Sequence, residues 1–507
     1  MAFSKHERLH PVGITTALFC AICLLSSAPA CANNYLPEPA NIAKALVEQN
    51  IRPLVLVDGM KDQQSLSDRM AYYSVPGMSI AVIHNGKIDW AKGYGILQTG
   101  KNAPVTADTY FEAASISKPV TALTTMVQVQ KGTIDLNAPI DQSLKRWHLP
   151  SSTFSSSSPP TARQIMCHHA GFNVEFVSGY SIGEAVPTLI EVLNGTWPSI
   201  TPAVQVIQTP GKNFEYSAGG FLVLQQALID IGSNSFDSFE SLVERTVFIP
   251  LDMLHSTFEQ PSLTQPTPLL ARGHNFAGNP AVRRTYPELS AAGLRTTASD
   301  LCRVILEIQD AAHGHGKILS KESAQQMLTA QDEKPSIGLG FFLAGKDDAR
   351  RFSMDGWNYG FTCRMVGFVD KGEGAVVMTN SDNGALMFEV LDAIGKVYAW
   401  PVQPSSCKIA QPILPKTVQS VVGRYKWSDT EQAEVIAQGS RIFLHVFHVD
   451  KKIMDPFPPA ELFAKSEREY FSIFPQMTVH LETDKNNQIA ALIYDLEGKD
   501  VRAERLP

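Results

Sequence analysis

Strand-forming runs stand at both ends of a mainly helical middle, and few folds accept that arrangement. Near the start, Met78-Ser79-Ile80-Ala81-Val82-Ile83 and Ile88-Asp89-Trp90-Ala91 flank His84-Asn85-Gly86-Lys87. Asn-Gly supplies the positive φ angles of a tight two-residue loop, so this segment reads as a β-hairpin. Near residue 340 the β texture returns in short runs at 338–343, 364–369 and 374–379. Between these ends, residues 117–131 read as an amphipathic helix carrying Val120, Leu123, Val127 and Val129. Two more helices are expected at 222–231 and 300–312, the second with Ser299-Asp300 as its N-cap. Helices at 38–52 and 384–399 bracket the whole. The fold expected is α+β: one antiparallel sheet drawn from early and late chain, with a helical region packed on it.

The chain is longer than this unit needs. Its 507 residues, 44% hydrophobic and 18% charged, have ordinary globular composition and room for two or three domains. Residues 1–32 read as a secretory signal peptide. Lys5 and Arg8 make a basic start, Gly13–Leu25 is apolar but too short to span a bilayer as a helix, and Ala30-Cys31-Ala32 is a small-x-small cleavage site. Ala28-Pro29-Ala30 makes a poor lipobox for Cys31, so plain export is favoured over a lipid anchor. The protein is therefore expected in the periplasm or secreted, with no membrane span after cleavage.

Residues 33–400 are expected to form the first domain, and 401–415, with Pro401, Pro404, Pro412 and Pro415, a linker. After it, short alternating segments at 421–427, 434–437, 441–447, 470–474, 477–482, 489–494 and 501–506 predict a small all-β barrel or sandwich over 416–507. The net charge of −7, with no basic stripe, speaks against nucleic acid as a partner. Of seven cysteines, Cys167, Cys302, Cys363 and Cys407 remain after signal removal, which is no disulfide framework. No internal repeat is present, and the sequence leaves the oligomeric state open.

Ser115-Ile116-Ser117-Lys118 opens the helix at 117–131. A serine and a lysine three positions apart lie on one helical face, one turn from each other. An amine in that place takes the hydroxyl's proton and makes it a nucleophile, without a Ser-His-Asp triad. The spacing alone is weak evidence. Ser405-Ser406-Cys407-Lys408 repeats it among prolines, where no helix would hold the pair together.

Context strengthens the first match. Gly77–Ile83 with its Asn85-Gly86 turn, Phe111-Glu-Ala-Ala-Ser-Ile-Ser-Lys118, Gln164-Ile-Met-Cys-His-His-Ala-Gly171, Pro210-Gly-Lys-Asn-Phe-Glu-Tyr-Ser-Ala-Gly-Gly-Phe221, Ala291–Leu301 and Trp357-Asn-Tyr-Gly-Phe361 fall in one order. Together they resemble the serine β-lactamase and penicillin-binding-protein superfamily, in particular class C β-lactamases and D-Ala-D-Ala carboxypeptidase-like serine hydrolases, over residues 40–400. The resemblance implies that Ser115 is the acylated nucleophile and that Lys118 helps take its proton. It implies that Tyr216 is general base and acid, its phenol acidified by nearby ammonium charge. It places the oxyanion hole at the backbone N–H groups of Ser115 and Trp357, with Asp355, Gly356 and Trp357 at the substrate. It gives the C-terminal unit a likeness to lipocalin-like appendages. No cofactor or metal is implied.

The chain departs from that pattern twice. Tyr216-Ser217-Ala218 lacks the asparagine of the family's Tyr-x-Asn motif. Met354-Asp355-Gly356 replaces Lys-Thr-Gly or His-x-Gly, so the motif's cation is missing and Asp355 carries the opposite sign. Losing a charge-assisted contact to a carboxylate weakens binding by ~1.5–3 kcal/mol. Penicillin and free D-Ala carboxylates are disfavoured, and neutral esters or amides suffer less. Ser381-Asp382-Asn383 spells a motif of class A β-lactamases but follows the third motif, and it reads as a turn. His168 and His169 beside Cys167 read as a structural loop, because adjacent residues do not converge on one ion. Trp357 admits two readings, a substrate-facing lid or packing. The expectation is an exported serine hydrolase acting on a small-molecule or peptide ester or amide. The rivals are a β-lactamase or D,D-carboxypeptidase, and a non-catalytic penicillin-binding-like ligand binder.

Overall fold

The computed structural model describes residues 40–57, 59–232, 238–260, 269–402, 405–449, 458–496 and 499–507. The signal-peptide assignment, 1–32, lies outside the described residues.

Eight antiparallel strands form the principal sheet, in the order Lys87–Gly95, Gly77–His84, Glu373–Thr379, Phe361–Phe368, Arg351–Asn358, Phe342–Ala344, Ser336–Ile337 and Asp332–Glu333. Early and late chain meet where Val376 stands opposite Ala81. Gly77–His84 is buried on both faces, as its unbroken apolar sequence requires. One face carries the helices Ser117–Gln130, Ala218–Gly232 and Ala298–Ala312, and the other carries Ala40–Gln49 and Ala385–Val397. The α+β expectation holds.

Several local expectations change. The Ser117–Gln130 helix is not amphipathic, because it is buried on all sides as far as Gln128. Its polar side chains survive there because the hydroxyls of Thr121, Thr124 and Thr125 each donate to the carbonyl four residues back, at 2.8–2.9 Å. The cap of Ala298–Ala312 is Thr297, whose hydroxyl accepts from Asp300 N, rather than Ser299. The run at 338–343 is interrupted, because Gly340 takes φ +86° against Ala122 of the nucleophile-bearing helix. Cys167, Cys302, Cys363 and Cys407 are all free thiols. No helix among the described residues is long and apolar enough to cross a membrane.

The C-terminal unit is a closed eight-stranded antiparallel barrel from Gly423 to Arg505, sealed by pairing of Tyr425 with Arg505, and consistent with a lipocalin-like domain. Tyr425, Val435, Leu444, Val479, Leu492 and Tyr494 are fully or almost fully buried within it. The strand Ala460–Ala464 and the helix Pro415–Val421 were not among the sequence expectations. The 401–415 segment is partly ordered structure: Lys408–Ala410 pairs in parallel with Val55–Val57 of the first domain. The barrel is also tied on by polar contacts. Arg441 donates to Glu461 at 2.7 Å and lies 4.3 Å over the Tyr72 ring, and the Tyr72 hydroxyl donates to Glu461 at 2.9 Å.

Candidate active site

Ser115 lies in a short 3-10 turn, Ala114–Ile116, that runs into the Ser117–Gln130 helix. Ala114 enters this turn at φ +48°, a left-handed conformation that costs a non-glycine residue ~1–2 kcal/mol. Packing holds it. Ala113 N donates to Leu294 O at 2.9 Å, and Ser117 Oγ donates to Ala114 O at 2.6 Å and accepts from Leu294 N at 3.0 Å. The turn presents the Ser115 hydroxyl beside the helix start, where Pro119 in the first turn sacrifices no intrahelical bond.

Lys118 Nζ stands 3.1 Å from Ser115 Oγ and 3.0 Å from Ala291 O. Burial alone pushes its pKa down to about 7, so at neutral pH about half the amines are uncharged. Tyr216 stands beside the pair: the Lys118 amine lies 5.0 Å above its ring centre, and Ser115 is close enough to act on the phenol's acidity. Sequence positions 115 and 118 therefore meet within hydrogen-bond reach, with the ring of 216 packed against the amine.

The expected acidification of Tyr216 is overturned. Burial pushes its phenol well above the ordinary value. The Ser115 side chain pulls the other way, while the charges of Glu175 and Asp355 add to the rise. The amine sits over the ring face and is itself half neutral, so no fixed cation stabilises a phenolate. Tyr216 stays protonated, and Lys118 is the group with an available lone pair.

His168 is a site residue that sequence reasoning assigned to scaffolding alone. Its ring stacks on Tyr216 with centres 4.2 Å apart, and it accepts from Ser217 N through Nδ1 at 3.1 Å. Burial and the Lys118 charge push its pKa far down, so it is neutral packing for the phenol. His169 points elsewhere, with Nε2 2.9 Å from Asp332. The two rings do not share a focus, and no metal-holding cluster occurs among the described residues.

The third-motif strand, Arg351–Asn358, approaches the nucleophile closely at Gly356, where an added Cβ would collide with Ala113 O and Cys363 Sγ. Along this strand Phe342–Ala344 covers Arg351–Ser353 alone, so 354–358 has no strand on its far edge among the described residues. The negative charge of Asp355, expected at the substrate, is tied up within the sheet. Its cross-strand partner Arg364 donates through Nη1 to both carboxylate oxygens, at 2.6 and 2.7 Å, and both side chains are about 10% exposed. Burial nonetheless raises the Asp355 pKa against Arg364's pull. The Trp357 side chain is packing rather than a lid: it is buried, and its Nε1 donates to Asp382 at 3.0 Å. Asp382 also accepts from Gly360 N at 2.6 Å, and Asn383 donates to Phe276 O at 2.9 Å, so Ser381-Asp382-Asn383 anchors loops.

A serine, an amine and a phenol gathered at a helix start beside an open strand edge define the class of cleft used by β-lactamase-fold serine hydrolases. The sequence profile of the Beta-lactamase family matches residues 63–398, and the chain belongs to that family. It is 24% identical over 186 residues to "Protein flp" of Staphylococcus aureus (strain NCTC 8325 / PS 47), covering 37% of this chain and 35% of that protein. The match thus spans about a third of that relative's length. Among solved structures, the fold is similar to an octameric penicillin-binding protein homologue from Pyrococcus abyssi, with TM-score 0.55, 19% identity, 87% of this chain and 98% of the other. It is also similar to EstCE1, described as a hydrolase with promiscuous acyltransferase activity, with TM-score 0.53, 18% identity, 65% of this chain and 96% of the other.

Proposed function

We propose that this protein is an exported serine hydrolase that cleaves esters or amides through a Ser115 acyl-enzyme. The observation that carries the reading is the contact of Ser115 Oγ with a buried Lys118 amine whose pKa is about 7. Ser115 Oγ attacks the substrate carbonyl while neutral Lys118 accepts its proton. The tetrahedral oxyanion is held by the backbone N–H groups of Ser115 and Trp357. On collapse, the proton passes from Lys118 to the leaving oxygen or nitrogen, with the Tyr216 hydroxyl as its relay. Water then attacks the acyl carbonyl, Lys118 takes its proton, and Ser115 leaves with a proton returned to Oγ.

Met354 and Ala218 make a carboxylate next to the scissile bond a poor fit, which favours esters and amides without one. The test is labelling of the mature protein with a fluorophosphonate and a fluorescent penicillin, and turnover of p-nitrophenyl acyl esters, each beside Ser115→Ala. Ser115-dependent fluorophosphonate labelling and ester turnover, with weak penicillin labelling, are expected. Absence of labelling and turnover would defeat the enzyme reading in favour of a ligand binder, and fast penicillin turnover would make the protein a β-lactamase.

A further inference from the structure

Beside the cleft, behind the end of the third-motif strand, lies a narrow recess lined by Glu112, Arg272, Arg283, Arg284, Tyr359 and Phe361. Its floor belongs to the site's scaffold. Glu112 lies three residues before Ser115 and accepts from Asn358 Nδ2 at 2.9 Å, directly after Trp357. Asn358 Nδ2 also lies 3.3 Å from Ala292 O, next to the carbonyl that Lys118 contacts.

Among the described residues, three guanidinium groups line this recess with one carboxylate, that of Glu112. Burial raises the Glu112 pKa even though Arg295, Arg284 and Arg272 all pull it down. The arginines are not equally committed. Arg284 donates to Ser178 O at 3.0 Å and Gly179 O at 3.2 Å, and lies 4.5 Å over the Tyr359 ring, so it fastens the loop that also carries Phe176 against Tyr216. Arg272 has no such tie. Its Nε is shielded from solvent, and nothing among the described residues accepts from it. It is desolvated and repelled by the neighbouring Arg283 charge, which together outweigh the attraction of Glu112. A guanidinium held beside a like charge with a buried donor unspent is poised for an oxyanion, which would satisfy the donor and relieve the repulsion.

We propose that this recess binds a small oxyanion, a carboxylate or phosphate, carried on the substrate away from its scissile bond. The substrate class is thus an ester or amide with an acidic arm, recognised by Arg272 and Arg283 instead of by the third-motif cation that Met354 replaces. The inference rests on the hydrolase reading for its kinetic arm only; binding of the anion does not depend on turnover.

Thermal melting of the full chain in glutarate, in inorganic phosphate and in sodium chloride at matched ionic strength gives the binding arm, with Arg272→Gln and Arg283→Gln in parallel. Stabilisation by glutarate or by phosphate beyond the chloride control, lost in both variants, is expected, and the stronger of the two anions identifies the group. The kinetic arm compares the p-nitrophenyl monoester of glutaric acid with p-nitrophenyl acetate. The ratio of their kcat/KM values should fall by about tenfold or more in Arg272→Gln, the loss expected for one charge-assisted contact. Arg283→Gln supplies the same readout if Arg272→Gln fails to fold. No anion effect above chloride would overturn the proposal whether or not either ester is hydrolysed. Anion stabilisation unchanged in both variants would overturn it equally. Anion binding lost in the variants, with neither ester turned over, would uphold the recess and defeat the hydrolase reading.

Discussion

Replacing Lys118 by methionine tests the proposed chemistry and its energetic cost together. The amine is enclosed, and burial moves its pKa from the ordinary 10.5 to about 7. At about 1.4 kcal/mol per unit, that shift is worth on the order of 5 kcal/mol between protonation states. As a base, Lys118 works only when neutral, so acylation should rise with pH and level off above about 7. The rate should be about a tenth of the plateau at pH 6 and about a hundredth at pH 5. His168 is pushed far below this window and Tyr216 well above it, so neither neighbour supplies a competing transition.

Stability follows the same proton with a definite sign. The folded pKa is depressed, and the unfolded amine titrates near ~10.4, so between about pH 7 and that value only the unfolded chain holds the proton. Stability therefore climbs with pH across the window, and the full burial penalty persists below it. Lys118→Met removes the penalty and forfeits the contacts with Ser115 Oγ and Ala291 O, at about 1 kcal/mol each. The variant should be ~2–3 kcal/mol more stable than the parent at pH 6, level with it near pH ~9, and essentially inactive throughout. Initial rates on p-nitrophenyl acetate, corrected for spontaneous hydrolysis, and urea melts at pH 6, 7.5 and 9 make the measurement. A rate that falls between pH 6 and 8, or a stability offset independent of pH, would refute the neutral-amine base.

Tyr216→Phe should slow ester turnover by roughly 10²–10⁴-fold, the usual yield of a positioned proton donor, while fluorophosphonate labelling of Ser115 persists; loss of both together would return the base role to the phenol. Arg364→Met strands the buried Asp355 carboxylate and should cost ~3–5 kcal/mol in a denaturant melt. Most of that loss should be recovered in the Arg364→Met/Asp355→Leu double variant, and a double variant no more stable than the single would show that the pair is not coupled.

The sequence made the sheet and the nucleophile legible for one physical reason: both depend on local pattern. Asn85-Gly86 marks a turn wherever it occurs, and a three-residue spacing fixes one helical face. What escaped depends on distant partners. The Thr121, Thr124 and Thr125 hydroxyls read as polar exposure, yet they spend their donors on their own helix and let it be buried. Ala460–Ala464 was missed because Ala-Glu-Leu-Phe-Ala does not alternate in polarity, and all five residues are buried. The stack of His168 on Tyr216 joins residues 48 apart, with His168 at φ +60°, and no period announces it. Arg364 was within reach of the sequence alone. A two-residue turn at Tyr359-Gly360 pairs Asn358 with Phe361 and therefore sets Asp355 opposite Arg364. Reading that hairpin would have supplied the counter-charge.

The family's two missing polar groups bear on one property of the cleft. An asparagine at 218 and a lysine or histidine at 354 would add dipoles and positive charge around Ser115. Alanine and methionine occupy those places, both buried in the principal core cluster with Tyr216. A less polar pocket disfavours every charged form within it. An ammonium loses its proton more readily and a phenol holds its proton more tightly. Those are the directions at Lys118 and Tyr216, and burial is the leading cause at both. The substitutions therefore do more than remove substrate contacts. They act in the same direction as the burial that separates the two proton-carrying groups in pKa, which in the proposed mechanism makes the amine the acceptor and the phenol the donor. On the proposed mechanism, that division of labour would let the serine be activated at neutral pH without the third-motif cation.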